Sequence, residues 1–385
     1  MSSRQTPPHV PARAYSNHLV RLLNYLRVDP ENLNLLSDAA ISAFDTQQFA
    51  LCDDLLDRHA AITRLTPTLV NLRGLSAMSQ HRFEEALDSF ASLRDGQDDP
   101  AIAYNMAYAN AMLGRFERTT ALVDDRVIAA IPAAAAVKLK ALHHLGHVDE
   151  ALDLAKRYAD QPHADPELQG AYATLLFDQD NKEDAKRYAE LAADTADGLT
   201  VRALFAISDG AESEALSMLE RTLQMRPGSG RAKLGLGLCL LSGERFADAA
   251  QALDEAANLL HTHAGSWVSA GWAHLLNGDL ATARARFEQS AQIDRGFAEA
   301  PGGLAVICFH EKRFDEARRY TDIALRLDRS CLSAALALNM LTVRDGNQDK
   351  ADSIMNEALN RSLNTDGRTI AQVLARRASR RRLEN

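Results

Sequence analysis

Apolar residues return along this 385-residue chain at three- and four-residue steps, in short runs that stop at Gly, Pro, Asn or Asp and then resume. Such spacing gathers side chains on one face of a helix. The clearest stretch is Ala264 to Phe297. Trp267, Ala270, Gly271 and His274 share a face of one predicted helix, and Ala283, Phe287 and Ser290 share a face of the next. Asn277-Gly278-Asp279 separates them, a turn signal because Asn and Gly tolerate the left-handed backbone that ends a helix. The unit is a 34-residue helical hairpin.

Similar units begin near residues 33, 67, 100, 132, 166, 196, 230, 264, 298 and 332, at steps of 34, 33, 32, 34, 30, 34, 34, 34 and 34. One small residue in each second helix sets this register: Cys52, Ala86, Thr119, Ala151, Ala185, Ala215, Ala249, Ala283, Ala317 and Ala351. Twelve residues earlier, on the first helices, come Ala40, Gly74, Ala107, Leu139, Ala173, Ala203, Gly237, Gly271, Ala305 and Asn339. The reason is steric, since helices approach closely only where no large side chain intervenes. Leu139 and Asn339 depart from the pattern. The step of 30 predicts a shortened connection and a kink before residue 196.

The unit resembles the tetratricopeptide repeat, whose Trp-x2-Leu-Gly-x2-Tyr…Ala-x3-Phe pattern it follows at Trp267, Gly271, Ala283 and Phe287, with Ala270 for Leu and His274 for Tyr. The resemblance implies an all-α fold, an α-solenoid winding as a right-handed superhelix of about ten hairpins. It also implies a protein-interaction role. The expected organisation is a disordered segment 1–14, a capping helix within 15–32 (Leu19, Leu22, Leu23, Leu26), a solenoid over 33–365, and a C-terminal capping helix with an Arg-rich tail over 366–385.

Composition agrees: 46% hydrophobic but only 6% aromatic suits closely packed helices better than a β-sandwich. The first residues lack the apolar core of a secretory signal, and no run reaches the roughly 18 apolar residues of a membrane span. Cys52, Cys239, Cys308 and Cys331 form no CxxC pair and read as free thiols in a reducing, cytoplasmic compartment. Net charge is −9. Residues 1–32 hold +2 and residues 366–385 hold +4, which leaves −15 on the body between them. An acidic body disfavours a phosphate backbone as ligand.

No chemistry-bearing motif emerges. Pro227-Gly228-Ser229-Gly230 fits neither phosphate-binding pattern. In His143-His144-x-x-His147, Gly146 breaks the helix, and no third zinc ligand is apparent. Cys308 and His310, two apart on one helix, point in different directions. No enzyme, metal or cofactor is expected. The resemblance places the groove on the first helices, and at those positions stand Asn71, Tyr104, Tyr108, Lys140, Thr174, Val268 and Trp272. Family members that hold a peptide C-terminus do so with a Lys–Asn pair, which is missing here. The expected partner is a protein or peptide segment with apolar or basic anchors. The alternative is an RNA-associated repeat protein using the arginines at 376, 377 and 380–382. A third use of that tail is contact with the acidic body, giving a homo-oligomer.

Overall fold

The computed structural model describes residues 12–94 and 99–354, which form helices joined by turns with no strand among them. The chain divides into two compact units, one up to Leu175 and one from Leu176. The first holds α1 (Ala12–Val28), α2 (Leu33–Asp45), α3 (Phe49–Ile62), α4 (Pro67–Ser79), α5 (Phe83–Arg94), α6 (Pro100–Met112), α7 (Phe116–Leu122), α8 (Asp125–Ala130), α9 (Ala133–His144), α10 (Val148–Tyr158) and most of α11 (Pro166–Asp178). The second continues with α12 (Lys182–Leu191), α13 (Ala196–Asp209), α14 (Glu212–Met225), α15 (Gly230–Ser242) and α16 (Phe246–Leu260). It then runs through α17 (Ala264–Leu276), α18 (Leu280–Ile293), α19 (Glu299–His310), α20 (Phe314–Leu327), α21 (Leu332–Arg344) and helical residues 348–354. Helices pack in consecutive pairs, such as α2 with α3 and α15 with α16, and second helices also pack on the following first helix, as α3 does on α4 and α16 on α17.

Local chemistry punctuates the pairs. Six of the first helices start on side-chain caps of Asn, Thr, Asp, Ser or His: Asn32, Thr66, Asp99, Thr195, Ser229 and His263 each accept a bond from a first-turn N–H. Between first and second helices the backbone turns left-handed at Gln47, His81, Gly114, Gly146, Asp180, Gly210, Glu244, Gly278, Lys312 and Gly346. The next N–H then reaches back to close the first helix, as in Asp279 to the His274 carbonyl (2.9 Å) and Arg313 to the Cys308 carbonyl (2.8 Å). These turns follow one another at 34, 33, 32, 34, 30, 34, 34, 34 and 34 residues, the steps of the small-residue column.

All ten residues of that second-helix column are 0% exposed. Two polar departures, Thr119 in this column and Asn339 in the paired first-helix column, are explained by hydrogen bonds inside their own hairpins. Thr119 Oγ1 donates to the Ala107 carbonyl (3.2 Å), and Asn339 Nδ2 donates to the Ala351 carbonyl (2.6 Å). A polar side chain is tolerated at the close approach where it satisfies a carbonyl facing it. Leu139 is simply enclosed, at 1% exposure.

Three local expectations are corrected. The 30-residue step comes from a shortened second helix rather than a shortened connection: α12 has 10 residues, whereas α14, α18 and α20 have 14. Its return into α13 is tight, because a Cβ on Gly198 would run into the Ala192 carbonyl. The second helix after α6 is not continuous. It breaks at Val123-Asp124, where Asp124 accepts from Arg126 N and Val127 N (3.1 and 3.0 Å) and Lys138 Nζ takes the Val123 carbonyl (2.7 Å). Finally, α1 begins at Ala12, so residues 12–14 are helical rather than disordered. It buries Leu19, Leu22 and Leu26 in a cluster with Leu36, Ala39 and Leu55. Residues 1–11 and the tail at 366–385 lie outside the described residues.

Candidate functional site

In the first unit two first helices leave their ninth position open, at Ile41 on α2 and Tyr108 on α6. On α6, Tyr104, Tyr108 and Met112 follow at four-residue steps, so they line one stripe. Tyr108 is 37% exposed and Met112 51%. The Tyr108 ring meets Phe83 edge-on at 6.5 Å, and Phe83 in turn meets His81 at 5.8 Å. Burial raises the Tyr104 phenol pKa above its ordinary value, and Tyr108, Asp165 and Glu167 push it the same way. Carboxylates therefore stand close to the stripe. Lys140 on α9 pairs with Glu167 on α11 (3.0 Å), which fixes its ammonium group at that edge. On α4, Asn71 and Leu75 are half-buried, and the Asn71 Oδ1 accepts no hydrogen bond from any described residue. On α2, Ile41 is 40% exposed, between exposed Asp38 and Asp45 on the same face. Thr174 is half-buried and spends its hydroxyl on the Gly170 carbonyl of its own helix (3.1 Å).

The second unit treats the corresponding positions differently. Val268 and Trp272 on α17 are 4% and 1% exposed, and both belong to a core cluster with Phe287, Leu304 and Val306. They are therefore closed to a partner, contrary to the expectation that they face a groove. The physical reason is a pair of glycines. The Phe287 ring sits where a Cβ of Gly271 would fall (2.8 Å), and a Cβ on Gly303 would overlap the same ring. The α17 and α19 backbones thus close on α18, and Trp272 packs edge-on against Phe287 at 6.1 Å. Trp267 is a core residue as well, at 8% exposure. Its indole N–H donates to the His261 carbonyl (3.1 Å), and the Arg286 guanidinium lies over its ring (5.6 Å).

Two polar clusters had no sequence signal, because their members come from separate helices. Arg286 on α18 and His274 on α17 both bond Asp254 on α16 (2.7 and 3.0 Å). Burial would raise the Asp254 carboxyl, but these bonds outweigh it and hold the pKa below the usual range. Glu299 on α19 accepts from Leu332 N (2.8 Å) and Ser333 N (3.1 Å), so a carboxylate from one helix caps the start of α21. Met112 was also missed, although it continues the four-residue step of Tyr104 and Tyr108.

The cleft between α6 and α8, lined by Pro100, Ala103, Asp124, Arg126 and Val127, measures about 120 Å³. Ligand pockets usually run to roughly 300–1,000 Å³. The four cysteines are buried and free, and burial pushes Cys52 and Cys239 up to about 11, the wrong direction for a nucleophile. His144 stacks flat on Phe116 at 4.5 Å while His147 faces Glu150 at 3.3 Å, so the histidine run is drawn to different neighbours. Among the described residues no three metal-ligating side chains converge, and no helix is long and apolar enough to cross a membrane.

Comparison with known proteins adds the following. Residues 213–261 and 274–339 each match a family described as tetratricopeptide repeat. No curated protein matches the chain. Among solved structures, one similar chain is in the crystal structure of the APC/C hetero-tetramer Cut9–Hcn1. It is 14% identical, with 92% of this chain and 85% of that one covered at a TM-score of 0.48. Another is Pseudomonas aeruginosa pilF, 19% identical, with 54% and 96% covered at a TM-score of 0.41.

Proposed function

We propose that this chain, which matches tetratricopeptide repeats at residues 213–261 and 274–339, is a non-catalytic scaffold that docks a protein or peptide segment on the first-helix face of its first unit. Such repeats are in general protein-interaction scaffolds. The finer reading is carried by one observation: the aromatic and thioether stripe of Tyr108 and Met112 stays open to solvent on a helix otherwise committed to packing. Large apolar groups on rigid helices lose little entropy on binding, which makes them effective anchors. Tyr104 and Lys140 border the same surface, whereas the Asn71 Oδ1 is itself covered and closed to a partner. The matching partner segment presents apolar side chains to the stripe and a basic group to Asp165 and Glu167.

Within this reading the solenoid spans residues 33–365, with flanking segments on either side. Four buried thiols suit a reducing compartment such as the cytoplasm. The test is Tyr108→Ala with Met112→Ala in the full chain. Capture of the partner from the native cell extract should fall at least about tenfold, the usual loss at aromatic anchors, while the helical circular dichroism stays unchanged. Undiminished capture by the folded double variant would refute the open-face reading.

A further inference from the structure

The open face of the first unit has a candidate occupant in this chain's own sequence. Helical residues are described as far as Ile354, and 31 residues follow. Residues 369–385 read T-I-A-Q-V-L-A-R-R-A-S-R-R-R-L-E-N. Ile370, Val373 and Leu374 recur at one side of a helical spacing, and five arginines come directly after. That is an apolar anchor joined to a cationic block.

The face has the reciprocal order of features. Tyr108 and Met112 form its exposed apolar centre, Asp165 and Glu167 lie near Tyr104, and Asp38 and Asp45 flank Ile41. Residues 33–175 hold twelve Lys and Arg against twenty Asp and Glu, a charge of −8, whereas residues 366–385 carry +4. Opposite charge steers such a pair together, and apolar burial holds it.

We propose that residues 366–385 of one copy dock on the first-helix face of a second copy. Each copy offers one segment and one face, so the exchange is reciprocal and can close as a two-fold dimer. Two contacts then form for a single association event, and the second benefits from the local concentration created by the first. The inference rests on the open-face reading proposed above, and it adds a self-derived ligand that an outside partner has to displace.

The experiment uses the full chain throughout. One variant replaces Arg376, Arg377, Arg380, Arg381 and Arg382 with Ala; the other is Tyr108→Ala with Met112→Ala. Light scattering over a concentration series at low salt should give a dimer for the unaltered chain. Self-association should weaken at least tenfold in each variant, with both still helical. Mixing the two variants should restore a one-to-one complex, because one intact face and one intact segment remain. Raised salt should weaken association in the unaltered chain and much less in the arginine-free variant.

A monomeric unaltered chain, a variant that dimerises normally, or a mixture that fails to associate would each overturn the proposal. So would arginine substitution that abolishes retention on single-stranded RNA while leaving the oligomer intact. If the unaltered chain is monomeric but outside-partner capture still depends on Tyr108 and Met112, the inference fails while the open-face reading stands.

Discussion

Tyr108 and Trp272 occupy the same place in their helices, the ninth position of units beginning at 100 and 264, yet one is 37% exposed and the other 1%. The difference lies less in either residue than in what the following hairpin supplies. After α17 and α18 comes Gly303 on α19, whose missing side chain admits the Phe287 ring. After α6 and α7, the corresponding position on α9 is Val137, which is half-buried, and Val123 stands where Phe287 does. The ring–glycine contact occurs one hairpin earlier, where Phe90 rests against Gly74 and a Cβ would fall at 2.5 Å. Closure of a first-helix face is thus a property of pairs of hairpins. At this ninth position α6 leaves Tyr108 partly open, and α17 takes Trp272 into the core.

The most disruptive way to probe that contrast is truncation at the two equivalent sites. Trp272→Ala removes a buried indole and should cost about 3–5 kcal/mol. Tyr108→Ala should cost less, about 1–2 kcal/mol, since the residue is already 37% exposed. Denaturant midpoints of the two single variants make the comparison directly. Equal shifts would mean that the faces are not differently buried.

A subtler change asks whether the second glycine is responsible. Gly303→Asn places a side chain where its absence admits the Phe287 ring. The amide meets an occupied space, so a cost of about 1–3 kcal/mol is expected from overpacking. In a Trp267→Phe background, Trp272 is the sole tryptophan, and its emission should shift to the red as the α17–α19 contact opens. Emission that stays blue in a destabilised Gly303→Asn protein would assign the burial of Trp272 to some other contact.

Much of this architecture was legible because it repeats. A small residue every 34 positions or so marks a close approach, and the left-handed turns fall at the same steps. Tyr104 and Tyr108 were legible as candidate anchors for the same reason, being large side chains where a register position faces outward. Trp272 was misread because its burial is decided by Gly303, thirty-one residues later, through Phe287. Single-helix periodicity carries no such information. The break at Asp124 and the short α12 escaped likewise, since both are local substitutions of one cap or turn for another and leave the column of small residues undisturbed.

The turns themselves should behave alike in both units, which supplies the finest control on the contrast. Gln47 and Lys312 hold left-handed backbone at φ of 60° and 63°, positions taken by glycine at Gly114 and Gly278. A side chain there crowds its own carbonyl at roughly 1–2 kcal/mol. Glycine relieves that strain but gives the unfolded chain more freedom, which offsets part of the gain. Gln47→Gly in the first unit and Lys312→Gly in the second should therefore each raise stability by about 0.5 kcal/mol, measured as a small upward shift in denaturant midpoint at unchanged slope. Both side chains are exposed, so neither substitution opens a cavity. A gain in one unit matched by a loss in the other would show that the units differ in their turns as well as their faces, and the explanation through Gly303 would then be too narrow.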